Sequence, residues 1–198
     1  TLCGVLFFVA GVICFIAWNW ADMHRALRMG LMITLVVSTT GFSVWYGLDT
    51  LPGRLALLAG ALCIGPLLAV FGQTYQTGAE LWELFRTWTL VLIPLALASR
   101  QAALWLVLWI TAYIWASLSY GRTFNHSFEF FFAFSQLPKT LLIQTLIIII
   151  WEGAAKYLEN RPEHAWIQAR WLTRLMFFVI MLRLTWHLCL YIFCIHNF

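Results

Sequence analysis

The chain is a succession of apolar runs, each close to the length that crosses a bilayer. A helix needs about 20 apolar residues to cover the hydrocarbon core. Candidates cover Leu2 to Trp18, Leu27 to Trp45, Leu55 to Phe71, Leu81 to Ala98, Ala102 to Tyr120, Pro138 to Tyr157 and Leu172 to Ile195. No soluble core could hide them: 63% of the chain is hydrophobic and 10% charged, against roughly 45–50% and about 25% in soluble domains. The expected fold is all-α, a polytopic integral membrane helix bundle of about seven transmembrane helices. It forms a single domain over 1–198, in contact with the lipid bilayer. Trp18, Trp20, Trp45, Trp82, Trp88, Trp151 and Trp171 fall near predicted span ends, where amphipathic rings settle at the headgroups.

Two connections are long. Residues 121–137 are rich in Phe and poor in charge, which suits an interfacial loop or helix on the membrane surface. Residues 152–171 hold Glu152, Lys156, Glu159, Arg161, Glu163 and Arg170 and make the one hydrophilic loop. Glu152 and Lys156 are four apart in the favourable order, so the sixth helix should project past the membrane. The turns after helices two, four and six carry slightly more Lys and Arg than those after one, three and five, which weakly puts that side and the N-terminus in the cytoplasm. The chain opens at Thr1 already inside an apolar run, so a segment missing upstream is expected. The five cysteines sit within apolar runs and read as small buried hydrophobes, not a disulfide framework.

Against this background FGQTYQTGAELWELFRTW, residues 71–88, is an anomaly: two glutamines, a tyrosine, two glutamates and an arginine between apolar runs. With helices alternating in direction, Gln73 and Asn19 lie on one side. A faint repeat supports the pairing, since Gly11 precedes Asn19 by the same eight residues that separate Gly65 from Gln73. Two readings stand. Carbonyls at helix ends lack intrahelical partners, and near lipid an unpaired one costs several kcal/mol. Asn and Gln donate and accept, so they can tie one helix end to the next. Alternatively Asn19, Trp20, Gln73, Tyr75, Glu80, Glu83 and Arg86 surround a polar pocket on one face. Glu80 and Glu83 share a helical face, and capping with an Arg86 ion pair suits them better than acid–base chemistry.

Within the membrane the costly residue is Arg183, midway along the seventh helix, with His187 one turn on. A central Arg costs about 2.5–3.5 kcal/mol on insertion scales. Gln144 in the sixth helix is the nearest polar partner by depth. Either Gln144 and helix carbonyls satisfy the guanidinium, or Gln144, Arg183 and His187 line a substrate or proton path. Met176, Ile180, Arg183, His187, Leu190 and Cys194 share a face that should turn inward.

The stretch GVLFFVAGVICFIAWNW, Gly4 to Trp20, the G-Q-x-Y-x-x-G of Gly72 to Gly78 and the L-F-x-x-W of Leu84 to Trp88 together resemble the bacterial predicted-membrane-protein family called domain of unknown function 2157, over about residues 1–120. The resemblance implies a multi-helix integral membrane protein, often with a soluble segment before the first helix, and brings no catalytic residues. No nucleotide loop, serine-nucleophile motif or metal-ligand spacing is present, so no cofactor, no metal and no nucleic acid are expected. The leading functional expectation is a non-enzymatic membrane subunit, sensor or scaffold in a bacterial inner membrane, partnered by another membrane protein or by itself. A small-solute or ion transporter with a cavity near Arg183 and Gln144, and an intramembrane enzyme, are the alternatives.

Overall fold

The computed structural model describes residues 2–19, 22–121, 129–158 and 166–197, with 120–121, 129–140, 183, 186–187, 190–191 and 193–197 described by their backbone alone. Trp20 lies outside the described residues, as does the middle of the hydrophilic loop. The described residues form seven helices: α1 (Leu2–Trp18), α2 (Arg25–Tyr46), α3 (Leu51–Tyr75), α4 (Leu81–Ser99), α5 (Ala102–Gly121), α6 (Glu129–Tyr157) and α7 (Arg170–Asn197). Helices α2, α3, α4 and α5 are long and apolar enough to cross a membrane, and α1 is a shorter apolar helix of 17 residues. This is a helical membrane bundle. The chain divides into two compact units, Thr1–Tyr120 and Gly121–Phe198, so the single domain expected over 1–198 is described in two parts.

Three boundaries differ from the expectation, each for a local reason. Pro52 and Gly53, which fall between the second and third expected spans, lie in the first turn of α3. A proline there loses nothing, because that N–H has no intrahelical acceptor anyway. The turn is Gly47 to Thr50, and Thr50 caps α3 by accepting from the Gly53 N–H at 3.2 Å. At its other end α3 runs past Phe71 to Tyr75 and stops at Gln76, which takes the left-handed conformation (φ 47°) and sends its N–H back to the Gly72 carbonyl. Helix α6 begins at Glu129, so the second half of the expected interfacial segment is the start of that helix. It ends at Tyr157, as expected, with Glu152 and Lys156 on its last turns.

In the first unit α3 is the central element. It packs against α1, α2 and α4, and half of its membrane-length window is buried, against 11% for α2 and 17% for α4. One apolar cluster joins Val9 and Ile16 of α1, Met32 of α2 and Ala59, Cys63 and Val70 of α3. A second joins Leu57, Leu58 and Ala61 of α3 to Leu92 and Ala96 of α4 and Leu104 of α5. Lipid tails are as apolar as these side chains, so burial by itself drives little association, and close backbone approach takes its place. Gly60 supplies such an approach: a Cβ there would stand 2.8 Å from Thr39 Oγ1 and 3.0 Å from Thr40 Cγ2 on α2. Thr39 is held by its own hydroxyl, which donates to the Leu35 carbonyl at 2.7 Å. Gly60→Ala is therefore expected to lower stability by about 1 kcal/mol through overpacking, read as a lower thermal midpoint in detergent. An unchanged midpoint would show that α2 can retreat freely.

Of the cysteines, Cys63 is buried as expected, whereas Cys3, Cys14 and Cys189 are exposed. Their apolar runs are apolar all round, so sequence position does not fix which way each residue faces; in a bilayer an uncovered thiol meets lipid. In the second unit α6 packs on α7, and Leu172, Met176 and Ile180 form the buried stripe of α7. That is the face expected to turn inward; the side chains of Arg183, His187, Leu190 and Cys194 further along it lie outside the described ones.

Candidate functional site

The polar stretch at residues 71–88 spans the end of α3, a short connection and the start of α4. Its charges organise the helix start. Glu80 is the N-cap of α4 and forms a capping box with Glu83, whose carboxylate accepts the Glu80 N–H at 3.3 Å. Two N–H groups that the helix cannot satisfy are thereby paired. Arg86 turns to an aromatic partner. Its guanidinium lies over the Trp82 ring, 4.9 Å from the centroid, a cation–π contact favoured where the ring face is partly desolvated.

The expected tie between Gln73 or Tyr75 and the Asn19 end of α1 does not form among the described residues. Asn19 Nδ2 donates to the Phe15 carbonyl of its own helix at 2.9 Å. That carbonyl is one turn back, so the bond closes without ordering a second helix. Tyr75 is exposed and its ring rests on Phe71, 4.9 Å between centroids. Gln73 is exposed and stands at the junction of two cavities.

The first cavity, of about 700 Å³, is walled by Ile16 and Ala17 of α1, Met32 of α2, Gly65 of α3, and Phe85 and Trp88 of α4. It is overwhelmingly apolar. Ala17 and Gln73 both line it, so the C-terminal ends of α1 and α3 share one side, as alternating helices require. The second, of about 660 Å³, is lined by Thr77, Glu80, Glu83, Arg86 and Thr87. The two share Ala69, Gln73, Leu81 and Leu84, so an apolar groove opens into a charged mouth. Both lie in the range of roughly 300–1,000 Å³ usual for ligand sites.

The floor of the groove is the contact sequence reading missed. Trp88 Nε1 donates across to the Ala61 carbonyl of α3 at 3.0 Å. Gly65 makes room for it: a Cβ at that position would overlap the six-membered ring of Trp88. Pro66 follows directly and, having no N–H, leaves the Leu62 carbonyl without its usual donor. The signal was present as Gly65-Pro66 in mid-helix and a tryptophan one helix later, but hydropathy does not say that they face each other. Leu84, Phe85 and Trp88, the L-F-x-x-W residues, thus converge with Gly65 and Gln73 on one groove.

In the second unit, Gln144 is buried at 5% exposure, and among the described residues neither its amide nitrogen nor its oxygen has a hydrogen-bond partner. The expected pairing of Arg183 and His187 with it falls on side chains outside the described ones. A separate cavity of about 310 Å³ is lined by Glu152, Lys156, Gln168 and Arg170 where α6 ends and α7 begins.

No curated protein and no solved structure matches the chain. The model of the family described as "Predicted membrane protein (DUF2157)" matches residues 1–105, a shorter span than the 1–120 the motifs suggested. It includes the groove-forming α1, α3 and α4. That is 105 of 198 residues, more than half, and the chain belongs to this family of predicted membrane proteins.

Proposed function

We propose that the protein is a non-enzymatic subunit, sensor-like component or scaffold of a bacterial inner membrane, whose partner is another membrane protein or a second copy of itself. One observation carries this reading: the clustered charges of residues 80–86 are used to start α4 and to hold Arg86 on Trp82. An acid–base pair would need a carboxylate free to exchange a proton with a substrate. Four hydroxyls of α2, α4 and α5 are engaged in the same local way: Thr40, Thr87, Thr89 and Ser119 each donate to the carbonyl four residues back. Helix α2 leaves Val37 and Val44 at 62% and 75% exposure, an uncovered apolar face.

A photo-crosslinking amino acid at Val44, activated in intact membranes, is expected to give one discrete protein adduct identifiable by peptide mass. Adducts with lipid alone, at Val44 and again at Val37, would sink the subunit reading. The buried Gln144, unpaired among the described residues, favours a second reading, a small-solute or ion carrier, because a polar group without a partner in a membrane core points to a functional path. Flux into liposomes that Gln144→Leu abolishes, in a chain that still folds, would select it.

A further inference from the structure

We propose that the groove of the first unit binds one zwitterionic phospholipid bearing a primary ammonium head, its acyl chain on Gly65 and Trp88 and its head group at Glu80, Glu83 and Arg86. The site is built as an amphiphile is built. From Gly65 to Gln73 the wall of α3 runs eight residues, about 12 Å at 1.5 Å per residue, and the lining over that depth is apolar. At Gln73 it passes without interruption into the charged cavity, the two sharing Ala69, Gln73, Leu81 and Leu84. Only a molecule apolar at one end and charged at the other complements both halves. The helices around it present their uncovered faces to a bilayer made of such molecules.

The charges select among head groups. Two carboxylates face one guanidinium at the mouth, so a purely anionic head would meet an excess of negative charge. Capping uses part of each carboxylate's accepting capacity, and a carboxylate has about four lone-pair sites, which leaves acceptors for an ammonium. A primary ammonium can donate to them in charge-assisted hydrogen bonds. A quaternary ammonium has no N–H to donate and is held instead by aromatic faces; here the Trp82 face is already covered by Arg86. The phosphate falls to Arg86 and to the Gln73 amide, whose side chain makes no hydrogen bond among the described residues.

The test uses the full chain in nanodiscs containing equal amounts of ethanolamine, choline and glycerol phospholipids. One head-group class at a time carries a diazirine in its acyl chain. Adducts on peptides containing Gly65 or Trp88 are expected with the ethanolamine probe at about five times the yield of the others, the ratio one additional charge-assisted bond supports. Ala69→Trp, which fills the segment common to both cavities, should remove those adducts while labelling of α6 persists. Glu83→Gln retains the capping acceptor and should erase the preference for ethanolamine. Equal yields from the three probes, or a preference untouched by Glu83→Gln, would overturn the proposal in favour of ordinary annular lipid. Should Ala69→Trp fail to fold, the wild-type ratio and Glu83→Gln decide alone.

Discussion

Gly65→Leu should cost about 3 kcal/mol of stability, at the upper end of what overpacking produces. The position has no room for even a methyl group, because a Cβ there would overlap the Trp88 ring. The ring has few ways to withdraw. Its N–H is committed to the Ala61 carbonyl at 3.0 Å and its face is stacked on Phe85, 5.9 Å between centroids. Giving up the interhelical hydrogen bond accounts for only about 0.6 kcal/mol by the average for membrane proteins; the rest comes from forcing α4 away from α3. A double-mutant cycle with Trp88→Ala isolates the cause. With the ring gone the leucine has a space to enter, so the double variant should be more stable than the sum of the single effects implies. Additive losses in thermal midpoint would mean that Gly65 matters for some reason other than this contact.

Gln144→Leu should do the opposite and stabilise the protein by about 2 kcal/mol. Among the described residues the buried amide has no partner for either polar atom, and mutational data place the cost of such a group at about 1–3 kcal/mol. Leucine has a similar volume and no polar atoms, so it removes the penalty without opening a void. Gln144→Ala separates polarity from packing, since it removes the same amide but leaves a cavity that offsets the gain. A fall in midpoint for Gln144→Leu would show that the amide has a partner, and would remove the support that an unpaired amide lends the carrier reading.

What could be read from the sequence follows from what a bilayer demands. The extents of α1, α4 and α5 were legible to within a residue or so at each end, because length and apolarity are what the membrane constrains. The ends of α3 were not. Pro52 and Gly53 are turn residues by habit, yet at a helix start their peculiarities cost nothing. Gln73 and Tyr75 look like loop residues but lie in the final turn, where a polar side chain reaches the headgroups without leaving the helix. Rotation was less legible still. In a run apolar on every side, no periodicity separates the lipid face from the protein face, so the exposure of Cys3 and Cys14 and the Gly65–Trp88 contact had no signature in hydropathy. The capping role of Glu80 and Glu83 was legible from their spacing alone. The Arg86 contact was not, since a carboxylate three residues back and an aromatic ring four residues back compete for the same guanidinium.

The short turn between α2 and α3 bears on how the protein is made. Gly47 to Thr50 is all that separates two membrane-length helices, and the Arg54 Nε–H donates to the Leu48 carbonyl at 3.1 Å to brace it. Four residues cannot span a bilayer of about 30 Å. The two helices therefore cross the bilayer in opposite directions, and they are expected to insert as one antiparallel hairpin. Helix α2, with a run of hydroxyls at Ser38, Thr39 and Thr40, is the less apolar of the two and the weaker insertion signal; α3 is the stronger. During biosynthesis the later helix thus secures the earlier one, and a charge introduced into α3 would strand both at once.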